Sequence, residues 1–164
     1  MKGIDISSYQ QNVDFVKVKK SGVEIVYIKA TEGITYTNPL LESQYSGAMA
    51  AGLKIGLYHY LRENDPILEA DHFIDAINEL SANCKYVIDV EVALGQAVSK
   101  ISSNVRLFAD RLLANNYEPC IYTGDNFYAN NLNDTVKDIP LWVAHYGVTK
   151  PDAVSYIGFQ YSST

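Results

Sequence analysis

Seven short apolar runs, separated by stretches with helical spacing, limit what this chain can fold into more than any other feature. The runs cover residues 3–6, 24–28, 53–60, 86–91, 119–123, 140–144 and 155–161. Their apolar residues are nearly continuous rather than alternating, the mark of strands buried on both faces. Between them, residues 14–20 and 39–51 read as helices stopped by Gly22 and Gly52. Pro66 sits just inside a third helix capped by Asp65, with Ile67, Ala70, Phe73, Ile74, Ile77 and Leu80 at helical intervals. Residues 99–116 put Ile101, Val105, Phe108, Leu112 and Leu113 on one helical face. After Gly124 only a short Asn-rich helical segment remains before the last two runs.

Repeated β-α units with buried strands imply parallel strands joined by right-handed crossovers, hence a barrel or a doubly wound sheet. No Gly-x-Gly-x-x-Gly follows the first run, which disfavours a dinucleotide fold. The expectation is therefore α/β: an irregular, TIM-like (β/α) barrel with few helices in its last third. A length of 164 residues suits one domain, residues 1–164.

The charge is mixed, with 13 Lys and Arg against 19 Asp and Glu, and no basic block tracks a phosphate backbone, so nucleic acid is not expected as a partner. Cys84 and Cys120 lack metal-ligand or disulfide-framework spacing. His59, His72 and His145 are scattered, and opposite parity to Tyr58 and Tyr60 turns His59 away from the barrel interior toward packing or a helix contact. Neither a metal nor another cofactor is expected. No Gly-x-Ser-x-Gly elbow presents a serine nucleophile. No basic segment precedes an apolar core at the start, and no stretch reaches the roughly 18 apolar residues of a membrane span, so neither a signal peptide nor membrane insertion is expected.

In parallel α/β folds ligands bind where the strands end. Asp5 lies in the first run, Lys29 and Glu32 close the second, Tyr58 and Tyr60 the third, Asp89 and Glu91 the fourth and Tyr122 the fifth, while Trp142 belongs to the sixth. Thirteen Tyr against one Trp is a load that suits a sugar- or peptide-binding groove only where the rings are so positioned. On one strand Asp89 and Glu91 share a face, roughly 6 to 7 Å apart. Paired carboxylates repel in a partly dry pocket, so one keeps a proton near neutral pH, as glycosidic cleavage requires. Glu91, longer and nearer the rim, is the candidate general acid. Asp89 is expected to stay ionised and to orient Glu91 or a substrate acetamido group, and Asp5 adds a third negative charge. The bare spacing also fits a strand-terminal acidic pair bound to a loop cation or a helix N-terminus.

Taken together, Gly3-Ile4-Asp5-Ile6-Ser7, Tyr27-Ile28-Lys29-Ala30-Thr31-Glu32-Gly33, Gly56-Leu57-Tyr58-His59-Tyr60, Asp89-Val90-Glu91, Ile121-Tyr122-Thr123, Leu141-Trp142-Val143-Ala144-His145-Tyr146 and Gly158-Phe159-Gln160-Tyr161 resemble, in order, the motifs of the glycoside hydrolase family 25 lysozymes. This group contains phage endolysins and N-acetylmuramidases of the Chalaropsis type, and the likeness is greatest to clostridial phage endolysin catalytic domains. The resemblance covers essentially the whole chain. It implies hydrolysis of the β-1,4 bond between N-acetylmuramic acid and N-acetylglucosamine in bacterial peptidoglycan, with the acid role falling on Glu91. Asp5 and Asp89 match the other active-site acids, and Tyr58, Tyr122, Trp142, Glu32 and Gln160 match groove positions; Tyr60 joins them as a strand-end ring.

Members of that family usually run on past the Gln-Tyr-Ser stretch into a last strand bearing a further aspartate, whereas this sequence stops at Thr164. The expectation is a catalytic domain truncated at its C-terminus, lacking its final strand, with an open barrel edge through which copies self-associate. A glycan-binding module with impaired chemistry and a chitinase-like hydrolase are the alternatives. By resemblance to endolysins, the protein waits in the host cytoplasm until a holin opens the membrane, then acts on the cell wall.

Overall fold

The computed structural model describes residues 1–163. Strand β1 (Gly3–Ile6) leads through helix α1 (Phe15–Lys20) to β2 (Ile25–Glu32), the two-residue β3 (Tyr36–Thr37) and α2 (Leu41–Ala50). The alternation continues with β4 (Lys54–Tyr60), α3 (Pro66–Ile77), β5 (Tyr86–Asp89), α4 (Val98–Ala114) and β6 (Pro119–Gly124). The last third holds the short α5 (Asp125–Asn131), a 3-10 turn (Asp134–Val136), β7 (Leu141–Ala144) and β8 (Gly158–Gln160).

Seven strands form a parallel sheet in the order β1-β2-β4-β5-β6-β7-β8, and β3 pairs antiparallel with the end of β2. The sheet curls until its two ends meet: Gln160 Nε2 on β8 donates to Asp5 Oδ2 on β1 at 2.6 Å. Among the described residues no backbone ladder joins β1 to β8, so the TIM-like barrel has one open seam.

Local chemistry sets the element ends. Asp65 Oδ1 accepts from the backbone of Ile67 at 2.8 Å, capping α3 with Pro66 in its first turn. Gly22 and Gly52 take φ of +87° and +70°, the left-handed turn by which α1 and α2 hand the chain back to the sheet. On α4, Ile101, Val105, Phe108 and Leu112 are buried, but Leu113 is 51% exposed, because the residue after a core position lies about 100° around the helix.

Each strand has two faces, and both are covered. Ile28, Leu57, Ile88, Ile121 and Val143 point outward and pack with Phe73, Ile77, Phe108 and Leu112 of the helices. Tyr27, Tyr58, Val87, Cys120, Tyr122, Trp142 and Ala144 point inward and fill the lumen. Two rings there lie over glycines at paired positions of the next strand. A Cβ on Gly56 would come within 2.1 Å of the Tyr27 ring, and one on Gly158 within 2.9 Å of the Trp142 ring. His59 faces outward, wholly buried, bonded to Thr31 Oγ1 at 2.8 Å and to Glu69 Oε2 of α3 at 2.8 Å, as its parity in the sequence implied.

Strand bounds also depart from the sequence reading. The second strand runs on to Glu32, the fourth stops at Asp89 rather than Glu91, the last is only Gly158–Gln160, and β3, with only two exposed residues, carries too little pattern to be foreseen.

Candidate active site

The barrel's registers carry one row of residues across its C-terminal end. Glu32 pairs with Tyr60, Tyr60 with Asp89, Asp89 with Tyr122, Tyr122 with Trp142 and Trp142 with Gly158. Lumen-facing side chains from successive strands thereby line one groove. Tyr122 and Trp142 pack with ring centroids 4.8 Å apart, and Trp142 leans on Tyr27 at 4.6 Å. All nine residues singled out in the sequence, Asp5, Glu32, Tyr58, Tyr60, Asp89, Glu91, Tyr122, Trp142 and Gln160, come together at this end.

The backbone around the acidic pair is pinned from both neighbours. The Asp89 carbonyl accepts from Leu61 N at 2.8 Å, Val90 N donates to the Tyr122 carbonyl at 3.0 Å, and the Val90 carbonyl accepts from Thr123 Oγ1 at 2.5 Å. Glu91 follows at the open mouth, past the last paired residue. Buried Asp89 has one side-chain oxygen, Oδ1, with no hydrogen-bond partner. Such an atom costs about 1 to 3 kcal/mol unless something else supplies a donor.

Electrostatics tie the acids together. Burial first, and then the charge of Glu91, holds the Asp89 carboxyl well above the usual range, while Lys29 pulls it partly back. Glu91 is pushed up by desolvation and by Asp5 and drawn down by Lys29. Asp5 is pushed up by desolvation and relieved by its bond to Gln160. Asp5 and Glu91 are open to water from the mouth, yet the protein behind them excludes bulk solvent, so both feel partial desolvation. In the free groove burial opposes the charge expected on Asp89, and the upward push is stronger on this deeper carboxyl than on Glu91.

Gln160 is the polar hub of the far wall. Its Oε1 accepts from Tyr122 Oη at 2.5 Å and Tyr146 Oη at 2.7 Å, while its amide nitrogen holds Asp5. On the opposite wall Lys29 Nζ donates to Glu32 Oε2 at 2.5 Å, and Arg62 Nε donates to Glu32 Oε1 at 2.8 Å. Lys29 and Arg62 lie 4.9 and 4.8 Å from the Tyr60 ring centroid. Arg62, Tyr27 and Tyr146 were not picked out as site residues in the sequence. Tyr146 stood within a quoted motif, Tyr27 has the same strand parity as Lys29, and Arg62 gave no signal because it follows its strand in a loop.

Away from the groove, Asp125, His145 and Asp152 could bring ligand atoms within 4.8 Å of one another. The Asp125 carboxylate is already engaged there: Oδ2 accepts from His145 Nδ1 at 2.9 Å and from Asp152 N, and Oδ1 from Ala153 N at 3.1 Å. It ties the segment after β7 to the start of α5.

Carboxylates at the C-terminal mouth of a TIM-like barrel, flanked by a wall of aromatic rings, define a glycosidase-type groove. The chain belongs to the glycosyl hydrolases family 25, whose profile it matches over residues 4–164. It is 61% identical to an autolytic lysozyme of Clostridium acetobutylicum, over 100% of this chain and 51% of that protein, so it spans about half that relative's length. It is 31% identical to an N,O-diacetylmuramidase of Chalaropsis sp, over 94% of this chain and 82% of that one. The catalytic domain of endolysin ply40 from bacteriophage P40 of Listeria monocytogenes superposes with a TM-score of 0.84 at 29% identity, covering 98% of this chain and 84% of that one.

Proposed function

We propose that this chain hydrolyses the β-1,4 bond between N-acetylmuramic acid and N-acetylglucosamine in bacterial peptidoglycan. Asp89 carries the reading: a buried carboxylate oxygen without a donor, beside a second carboxyl at the groove mouth. An acetamido N–H of the bound sugar supplies the missing donor. Accepting it favours the charged form of Asp89 and leaves the pair's proton on Glu91.

Glu91 then gives that proton to the glycosidic oxygen as the C1–O bond breaks. The acetamido oxygen, oriented through its N–H by Asp89, shares the positive charge developing at C1, a route open to substrate-assisted glycosidases. Water completes the hydrolysis, returning a proton to Glu91. Asp5 adds negative potential across the groove, and the half-buried Tyr58, Tyr60 and Trp142 offer flat faces to the sugar rings, with buried Tyr122 backing Trp142. Glu32 and Gln160 hold the two walls.

Glu91→Gln keeps the shape and removes the proton. Turnover of purified peptidoglycan should fall about 10²- to 10⁴-fold with the fold intact by circular dichroism. Near-normal turnover in a folded variant sinks the reading. Muramic acid at the new reducing ends is the expected product.

The proposed site of action is the cell wall, a reading the likeness to a phage endolysin catalytic domain supports, and the proposed setting is a host cytoplasm that the protein leaves when a holin opens the membrane. No helix among the described residues is long and apolar enough to cross a membrane. Under this reading, expression inside bacteria should lyse cells only when a holin is made with it. The unladdered edges of β1 and β8 also support self-association along the seam, checked by sedimentation over a wide range of concentration.

A further inference from the structure

We infer that Lys29, held by Glu32, is a positioning residue that sets the pH range over which Glu91 carries its proton; this rests on the reading of Glu91 as the proton donor. The geometry begins with a break in strand register. Lys29 pairs with Tyr58 but Thr31 pairs with His59, so Ala30 is an extra residue in β2. On a regular strand residues three apart point to opposite faces. The bulge restores both Lys29 and Glu32 to the lumen side, and re-aiming a side chain beside a site is what such bulges do.

The re-aimed pair is tightly held. Lys29 Nζ sits 2.5 Å from Glu32 Oε2, with its side chain only 13% exposed. Arg62 closes on the other Glu32 oxygen. The loop carrying Arg62 is itself fixed by the fully buried Glu69, which accepts from Arg62 N at 2.9 Å and from Asn64 N at 3.1 Å. This chain of bonds fixes the lysine against the Tyr60 ring, where its ammonium cannot swing out to water.

Asp5 of β1, Lys29 of β2, Tyr58 and Tyr60 of β4, Asp89 of β5 and Tyr122 of β6 interact electrostatically with the Glu91 carboxyl, and Glu32 and Arg62 stand beside Lys29. Asp5 and Asp89 are acids. Among the described residues Lys29 is the cation that draws both Asp89 and Glu91 back toward their charged forms. Glu32, bonded to it, moderates that pull. Replacing the lysine and replacing its counter-ion should therefore shift the Glu91 proton in opposite directions.

Carbon-13 NMR titration of the Glu91 carboxyl reads this directly. In Lys29→Met the midpoint should rise by roughly 0.5 to 1 unit, the size of one screened charge some ångströms away. Glu32→Gln should lower it, and Lys29→Arg should leave it near wild type. The alkaline limb of kcat/KM on peptidoglycan should move the same way in each variant. An unmoved midpoint in folded Lys29→Met, or Glu32→Gln shifting upward with it, overturns the inference. The two readings fail separately: inactive Glu91→Gln with an unmoved midpoint sinks only the role of Lys29. An active Glu91→Gln with a moved midpoint sinks the donor role and leaves Lys29 as the group setting the charge at Glu91.

Discussion

Asp89 is where residue-scale cost and residue-scale function meet. Its carboxyl is buried, lacks one donor and sits among acids, so its native affinity for a proton exceeds that of the unfolded chain. Between the unfolded and folded pKa values the native state holds a proton that the unfolded state has released, and stability falls as pH rises through that window. Glu32 and Glu69 are depressed, and their contributions run the other way. A comparison between variants isolates the residue. Thermal melts of wild type and Asp89→Asn from about pH 4 to about pH 8 should show the variant gaining on wild type as pH rises, because only the wild type must charge this carboxyl. A constant difference across the range would mean that Asp89 ionises without cost. Turnover should fall in the same variant, since asparagine cannot take up the charge that orients the acetamide.

Element by element, much of the barrel could be read directly. Buried parallel strands write themselves as unbroken apolar runs, and the caps at Asp65, Gly22 and Gly52 stood where the elements turned. What escaped depends on pairing between strands. The bulge at Ala30 exists only relative to β4, so no inspection of β2 alone finds it. The sequence named Lys29 at a strand end without giving it a task, and Arg62 had no pattern at all. Ring-over-glycine packing is likewise a property of two strands. Gly56→Ala would drive a methyl into the Tyr27 ring, which rests against Trp142. Overpacking of this kind costs about 1 to 3 kcal/mol, and a ring forced off the tryptophan should change Trp142 fluorescence. A variant with wild-type stability and fluorescence would show that the lumen yields at this point.

At the scale of the whole molecule the barrel is closed by side chains. Asp5 and Gln160 lie 155 residues apart in sequence, and their bond bridges a seam that no backbone ladder crosses among the described residues. Asp5 was legible as a strand-end acid and Gln160 as a motif residue, but their partnership depends on how far the sheet curls. Tyr122 and Tyr146 both donate to the Gln160 oxygen, so only its amide nitrogen can satisfy Asp5. Gln160→Glu keeps the shape and acceptor oxygens while replacing that nitrogen with an oxygen, setting two carboxylates face to face. At neutral pH the repulsion and the lost donor should cost about 1 to 3 kcal/mol, a drop of several degrees in Tm. Acidification should recover much of it, because one proton shared between the two carboxyls restores a hydrogen bond across the seam. Gln160→Ala loses the same bridge without creating a charge pair, so its deficit should ease far less on acidification, only by the part of the bond that favoured charged Asp5. Parallel pH profiles for the two variants would show that the seam is not held by this pair, and divergence at neutral pH would identify Gln160 as the closure of the barrel.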